Sequence, residues 1–287
     1  MPYQPLSVKT VLSVFPRYPR VSLLHESIAV YSMTLVSTDA VVLHVQDYLE
    51  SSRIVRLATR EHGVQSVLAR GARRPRSRFG SSLDLFASGV AQFTMKPGRE
   101  LSNLTGFDHT RSRMSLAADL DRFAGASVIA ELALRFAHAD PDPHDEAFDI
   151  LGRSLDEIAH APPGTSTESA LAGAWRYVAA LGFGPTLDRC CACGVELVAD
   201  RVAPFSHQGG GVVCAKCVRT LPIGRDLPVD ARAAITSWLA NEQVSPLADL
   251  ARRAHLRLLR EFLHHHVSDG RTLRALDGWE ARLRRPA

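Results

Sequence analysis

The sequence predicts an α+β chain of several domains: an N-terminal five-stranded barrel, then an all-helical domain carrying a four-cysteine zinc module as an insertion. Three observations predict it. Between residues 34 and 110, short β-rich runs alternate with turn signals. Beyond Arg113 the apolar period becomes that of helices. All five cysteines fall between Cys190 and Cys217, with helical patterns on both sides.

The strands come first. "LVSTDAVVLHV" (35–45), "RIVRLATR" (53–60), "VQSVLARG" (64–71), "GVAQFTMK" (89–96) and "RELSNLTGFD" (99–108) are rich in β-branched residues. Glu50-Ser51-Ser52, His62-Gly63 and Pro97-Gly98 separate them. Five short strands in so little chain suit a small barrel. An SH3-like barrel is the other arrangement open to this count.

The helices follow. "MSLAADLDRFAGASVIAELALRFAH" (114–138) predicts one long central helix, and "DPDPHDE" (140–146) breaks the chain after it. A helix over about 145–160 precedes a Pro-Pro-Gly loop at 162–164. Thr165 and Glu168 have the spacing of a capping box before "SALAGAWRYVAALGF", which Gly184-Pro185 ends. After the cysteines, helices resume at "DARAAITSWLA" (230–240). Ser245-Pro246 supplies an N-cap and first-turn proline for a long helix through His266. Residues 1–32 hold four prolines and little periodicity, and Met33 opens the first strand pattern. They are expected to be a non-core extension. The expected division is 1–32, a barrel at 33–112, helices at 113–185, the cysteine module at 186–221 and helices again at 222–287.

Cys190 and Cys193 form one C-x2-C, and Cys214 and Cys217 a second, with twenty residues between them. Each such turn aims two thiolates at one point, and zinc takes four ligands tetrahedrally. The pattern predicts one structural Zn2+. With four cysteines filling its coordination sphere, the metal is a staple and not a catalyst. Two disulfides are the competing reading, and nothing in the sequence indicates an oxidising compartment. Cys191 is expected to be a free thiol and His207 a loop histidine.

Composition narrows the classes. Hydrophobic residues at 46% and charged residues at 22% are ordinary for a globular protein. No run of eighteen apolar residues exists, and residues 1–33 lack a signal-peptide pattern, so no membrane partner and a cytoplasmic location are expected. Phosphate-binding glycine loops, the G-x-S-x-G elbow and the zinc-deaminase signature are all missing, so no catalytic residues are assigned and the chain is expected not to be an enzyme.

Charge is uneven. "RGARRPRSRFG" (70–80) places Arg70, Arg73, Arg74, Arg76 and Arg78 within nine residues at the end of a strand. A mobile basic loop beside a barrel suits phosphates rather than base edges, with counterion release driving the binding. The competing reading is a solvated surface loop. Tyr48, Phe79 and Phe93 are candidate stacking partners, each better explained as core. Arg252, Arg253, Arg257 and Arg260 give a second basic stripe, equally readable as a solvated helix face. The His264-His265-His266 run reads as surface.

Taken together, "VLARGARRPRSRFGSSLDLF", "LGFGPTLDRCCACG" and "FSHQGGGVVCAKC", in this order, resemble the RecO family of bacterial recombination-repair proteins. The stretch L-G-x-x-P-x-L-x-x-C-x-x-C-G is the most specific part. The resemblance covers about Met33 to Leu276, and "LREFLHHHVSDGRTLRAL" follows the family's closing segment only loosely. It implies that the barrel is an OB-fold and that the zinc is structural. It also implies binding of single- and double-stranded DNA, which is carried onto Arg70, Arg73, Arg74, Arg76 and Arg78, and annealing of complementary strands. Implied partners are RecR, RecF and single-strand-binding protein, with RecA loaded onto DNA at the nucleoid. A zinc-ribbon transcription regulator is the alternative. It needs a recognition helix or a dimer seam, and neither is evident.

Overall fold

Alternation of inward apolar and outward polar side chains builds five strands: β1 (Thr34–Tyr48), β2 (Ser52–Thr59), β3 (Gly63–Ala69), β4 (Ser88–Met95) and β5 (Leu101–Arg111). The computed structural model describes residues 33–80, 82–96, 98–139, 145–266 and 272–284. The expected extension at 1–32 and the break at 140–144 lie outside the described residues. The strands close into a barrel in the order β1-β2-β3-β5-β4, with β3 and β5 parallel and the other pairs antiparallel. This is the ring of an OB-fold rather than an SH3-like barrel. Val36, Val42, Val55, Leu57, Val67, Phe93 and Leu104 fill its interior.

One stretch of β1 serves two cores. The β1–β2 register shifts between Val42 and His44, which leaves Leu43 as an extra residue without a partner on β2. Val41, Val42 and Leu43 are buried in succession because successive side chains point to opposite faces and both faces of β1 are covered there. Val42 enters the barrel, whereas Val41 and Leu43 join the apolar core of the helices.

The expected single helix over 114–138 is two: α1 (Met114–Ala117) and α2 (Leu120–Ala139). Asp119 causes the break. Its Oδ1 accepts the backbone N–H groups of Asp121 at 2.8 Å and Arg122 at 3.0 Å, which caps a new helix. Those bonds, Arg122's first, hold its carboxyl below the usual range. Then come α3 (Asp145–Ala159) and α4 (Ser166–Val178). Every residue of α4 from Thr167 to Val178 is buried, so α4 is the most enclosed helix described. A wider π turn continues it to Phe183 and closes at Gly182, whose φ of 85° suits a residue without Cβ.

Two expected caps are not formed. Thr165 makes no cap bond: its hydroxyl donates to Pro162 O at 2.9 Å. Glu168 does not reach back to the helix start. Its buried Oε1 accepts Leu247 N–H and Arg252 Nε–H, both at 2.7 Å. Holding Leu247 this way also delays the next helix. After α5 (Val229–Leu239), α6 runs Asp249–His266, starting beyond Ser245-Pro246, and α7 covers Arg274–Leu283.

Arginines tie the parts together, Arg113 and Arg232 from buried positions and Arg60 from a half-buried one. Arg113 donates to Phe86 O at 2.6 Å and Ser88 Oγ at 2.7 Å in the barrel, and to Asp156 Oδ1 at 2.8 Å in α3. Arg60 bridges from β2's end to Asp149 at 2.8 Å and lies over the Phe148 ring. The cysteine segment forms a small sheet of β6 (Ala203–Ser206), β7 (Gly211–Val212) and β8 (Arg225–Leu227) in the order β7-β6-β8. Arg232 of α5, 4% exposed, donates to the carbonyls of Leu187, Leu197 and Val198 and fixes this segment to the helices.

Glu168→Ala leaves Arg252 and the Leu247 N–H facing a buried void, and is expected to lower unfolding free energy by about 3 kcal/mol. Thr165→Ala removes one neutral bond and costs about 1 kcal/mol. Urea unfolding separates them, and a larger loss for Thr165→Ala restores the capping box. His255 packs on Trp238 at 4.9 Å, and burial, opposed by Asp230 and Glu168, lowers its pKa from 6.5 to about 4. The unfolded chain then binds the extra proton between those values, so stability is complete above pH 6.5 and falls as pH drops towards 4. The loss between pH 7.5 and pH 4.5 is expected to shrink by about 2.5 kcal/mol in His255→Leu.

Candidate metal centre and nucleic-acid interface

Cys190, Cys193, Cys214 and Cys217 converge: their sulfur atoms all lie within 4.8 Å of one another. Backbone turns place them. Gly194 N–H donates to Cys190 O at 2.9 Å, and Gly194 has φ +74°, which closes the first knuckle where a side chain strains the turn. Cys217 N–H and Val218 N–H both donate to Cys214 O at 3.0 Å and close the second. The two knuckles are joined across their bases, with Cys191 N–H donating to Val212 O at 2.9 Å and Cys214 N–H donating to the Cys190 sulfur at 3.3 Å.

The electrostatics favour thiolates at Cys190 and Cys214, whereas hydrogen bonding to the Cys193 and Cys214 sulfurs, with burial, pushes the Cys217 pKa up to about 12. Burial raises the Cys190 thiol, but N–H groups of Cys214, Ala192 and Cys193 outweigh it and bring the pKa to about 6. Cys214 is lowered by the Cys217 and Lys216 N–H groups. Four soft sulfur donors in one cluster are positioned to hold a metal ion. Cys191 is outside the cluster. Its sulfur packs against Gly209, where a Cβ would meet it at 2.9 Å, and burial raises its pKa.

His207 lies in a loop, as expected, but is buried. It is 5% exposed in the turn after β6, between Phe205 at 5.3 Å and a stacked His265 at 6.1 Å. Its backbone carbonyl lies 2.7 Å from His266 Nε2, so the last histidine of the triplet is a structural contact, whereas His264 and His265 are exposed.

The arginine segment, expected to be a loop, is a chain of tight turns. Successive bonds close it: Arg73 N to Ser51 O, Arg74 N to Gly71 O, Ser77 N to Arg74 O, all at 3.0 Å, then Gly80 N to Ser77 O at 3.2 Å. Ala72, Phe79 and Leu83 anchor it in the barrel core, at 8%, 2% and 1% exposure. The alternation of small and apolar residues with arginine carried that signal in the sequence. Arg70, Arg73, Arg74, Arg76 and Arg78 are all exposed. Arg73 sits 3.5 Å from Asp47, which also pairs with Arg53, and the Arg78 guanidinium lies 4.9 Å over the Phe79 ring. Arg70, Arg74 and Arg76 have no carboxylate partner among the described residues. The arrangement presents fixed positive charge at one side of the barrel, suited to a polyanion.

Of the stacking candidates, Phe79 and Phe93 are core at 2% and 0% exposure. Tyr48, expected in the core, stands 40% exposed on the barrel's outside, because it lies at the end of β1 beyond the packed rows. The second basic stripe is partly scaffold. Arg252 is held by Glu168 and Asp249, and Arg260 pairs with Glu280 at 2.6 Å, leaving Arg253 and Arg257 exposed.

No described helix is long and apolar enough to cross a membrane. The family model described as Recombination protein O N terminal matches residues 33–113, and that described as Recombination protein O C terminal matches residues 117–275. Among relatives, a DNA repair protein RecO of Anaeromyxobacter sp. (strain K) is 37% identical over 248 residues, covering 85% of this chain and 95% of the relative. That of Rhodopirellula baltica is 34% identical over 210 residues, 73% of each chain. That of Desulfitobacterium hafniense (strain DCB-2) is 31% identical over 185 residues, 64% of this chain and 65% of the relative. These relatives are named for repair and for no enzymatic activity. An OB-type barrel, a helical domain with a four-cysteine cluster, and two family models spanning nearly all the described residues agree: the chain belongs to the RecO family of DNA repair proteins.

Proposed function

We propose that this protein is a non-enzymatic mediator of recombinational repair. It binds single- and double-stranded DNA, anneals complementary strands and, with RecR, helps load RecA onto DNA coated by single-strand-binding protein. RecF joins it at some of these sites, and its place is the cytoplasm, at the nucleoid. Five exposed arginines on a turn-built segment anchored in an OB-type barrel carry this reading. Annealing needs charge neutralisation of two polyanions and no turnover of a cofactor. The barrel at 33–112 holds the DNA. The module at 186–221 keeps one structural Zn2+ on Cys190, Cys193, Cys214 and Cys217, with no open coordination position for catalysis.

The arginines are expected to contact phosphate. Single Arg→Ala changes at Arg73, Arg74, Arg76 or Arg78 weaken binding alike on all sequences, and each lowers the slope of log K against log salt by about 0.9. Annealing of complementary fluorescent oligonucleotides falls in parallel, without nucleotide. An unchanged slope in the quadruple Ala variant overturns the assignment and moves it to Arg253 and Arg257.

The metal has its own test. One zinc per chain is expected by elemental analysis, Cys190→Ser is expected to lose it together with soluble yield, and Cys191→Ser to keep it. Equal zinc loss in the two variants rejects the four-ligand assignment.

A further inference from the structure

The small sheet of the cysteine segment ends on β8, whose outer edge pairs with no strand among the described residues. The register fixes which groups that edge offers. Pro204 of β6 has no N–H, and its carbonyl accepts Val213 N–H at 2.8 Å, on the side of β7. Its pair with Asp226 is therefore of the non-bonded kind, so the Asp226 N–H and C=O point away from β6. No described group bonds to either of them. Side chains alternate along β8: Leu227 joins the core of the helices, and the exposed Asp226 faces the other way.

This edge is one wall of a groove of about 480 Å³. The other wall is α6, which contributes Leu247 before its first turn, then Leu250, Ala254 and Leu258. Leu250 is 80% exposed, so the wall carries apolar area that no described element covers. The exposed Arg253 and Arg257 of α6 do not line it. Two carboxylates do: Asp226 and Asp230 lie at the β8 side, and neither has an ion pair among the described residues. Arg225 also lines the groove, but its charge is taken by Glu261. The groove thus joins an open hydrogen-bonding edge, an apolar wall and uncompensated negative charge. A bare edge beside apolar side chains invites pairing. An aspartate on it deters acidic strands, and favours one that brings a cation opposite.

We propose that this groove receives an extended, basic segment of a partner protein as an added strand beside β8. The Asp226 N–H donates to the segment's backbone, and the Asp226 carbonyl accepts from it. Alternate side chains of the segment are apolar and turn to Leu247, Leu250 and Ala254. Those between them are lysine or arginine and stand beside Asp226 and Asp230. Backbone bonds supply affinity for any extended chain, whereas the apolar wall and the two carboxylates select which chain is held. Leu250 to Leu258 spans about 12 Å of α6, a length that about four extended residues cover. The site uses none of the arginines at 70–78, so it stands apart from the proposed DNA contact.

The test titrates three fluorescent peptides into the full-length protein by anisotropy: Val-Lys-Val-Lys-Val amide, the same peptide methylated on its backbone nitrogens, and Val-Glu-Val-Glu-Val amide. The lysine peptide is expected to bind at least tenfold more tightly than either of the others. Leu250→Gln, and the pair Asp226→Asn with Asp230→Asn, are each expected to weaken it at least fivefold. All three residues are exposed, so these variants keep the fold. A second measurement reads the edge itself in the unaltered protein: hydrogen exchange at the Asp226 amide is expected to slow at least tenfold with saturating lysine peptide. Equal binding of the methylated or the acidic peptide, unchanged affinity in the variants, or unchanged exchange at Asp226 overturns the proposal. So does self-association that Leu250→Gln abolishes in a chain that binds no peptide, because the occupant is then a second copy. The quadruple Arg→Ala variant of the 70–78 segment is expected to bind the lysine peptide as wild type does. A loss there puts the peptide elsewhere and also overturns the proposal.

Discussion

The full enclosure of α4 is the constraint from which much of the remaining architecture follows. A helix with no solvent face must place even its polar residues against partners, because an unpaired buried charge is severely penalised. Glu168 and Arg176 are those residues. Glu168 draws in Arg252 and the Leu247 amide, and so fixes where α6 starts. Arg176 grips Glu157 with bonds of 3.0 and 2.6 Å and reaches Asn241 at 3.2 Å, locking α3 and the end of α5 to the same axis. Small residues allow the neighbours to come close. A Cβ on Gly173 would meet Ser154 Cβ at 2.8 Å, and one on Gly125 would meet Ala170 Cβ at 2.4 Å. Trp175 then fills the remaining volume against Phe262.

Around that helix, arginine acts as the fastener between units. A guanidinium has five donors in a planar fork, so one side chain can satisfy carbonyls from several segments at once. Arg113 does this between barrel and helices, and Arg232 between helices and the cysteine segment. The arginine-rich composition therefore serves two physically distinct ends. In the buried Arg113 and Arg232 every guanidinium nitrogen donates to an oxygen acceptor. The members at 70–78 project into solvent with few acidic neighbours.

What could be read in the sequence followed the range of the interactions involved. Strand alternation and the C-x2-C pairs are local, so the barrel and the converging sulfurs were legible. The capping box at Thr165 and Glu168 and the Ser245-Pro246 start were misread for one reason: a residue 79 positions from Glu168 competes for its carboxylate. No local pattern reports that. The break at Asp119 is the opposite case, since an aspartate followed by two donors is a local signal that the long apolar run concealed. Pro and Gly mark the turns of the arginine segment, but they do not report that those turns are anchored. Phe79 and Leu83 were the clue to the anchor. Tyr48 could not be placed without knowing where the helical domain stops covering β1.

The bulge at Leu43 has a consequence for how this chain can vary. A strand that gives Val42 to one core and Val41 and Leu43 to another cannot lose or gain a residue there, because a single-position slip sends each apolar side chain to the wrong side. Substitution within the aliphatic class is tolerable at these positions, whereas insertion and deletion are not. Length variation among related chains should therefore collect in the turns on either side, and the spacing from Asp39 to Asp47 should be held even where the residues between them drift.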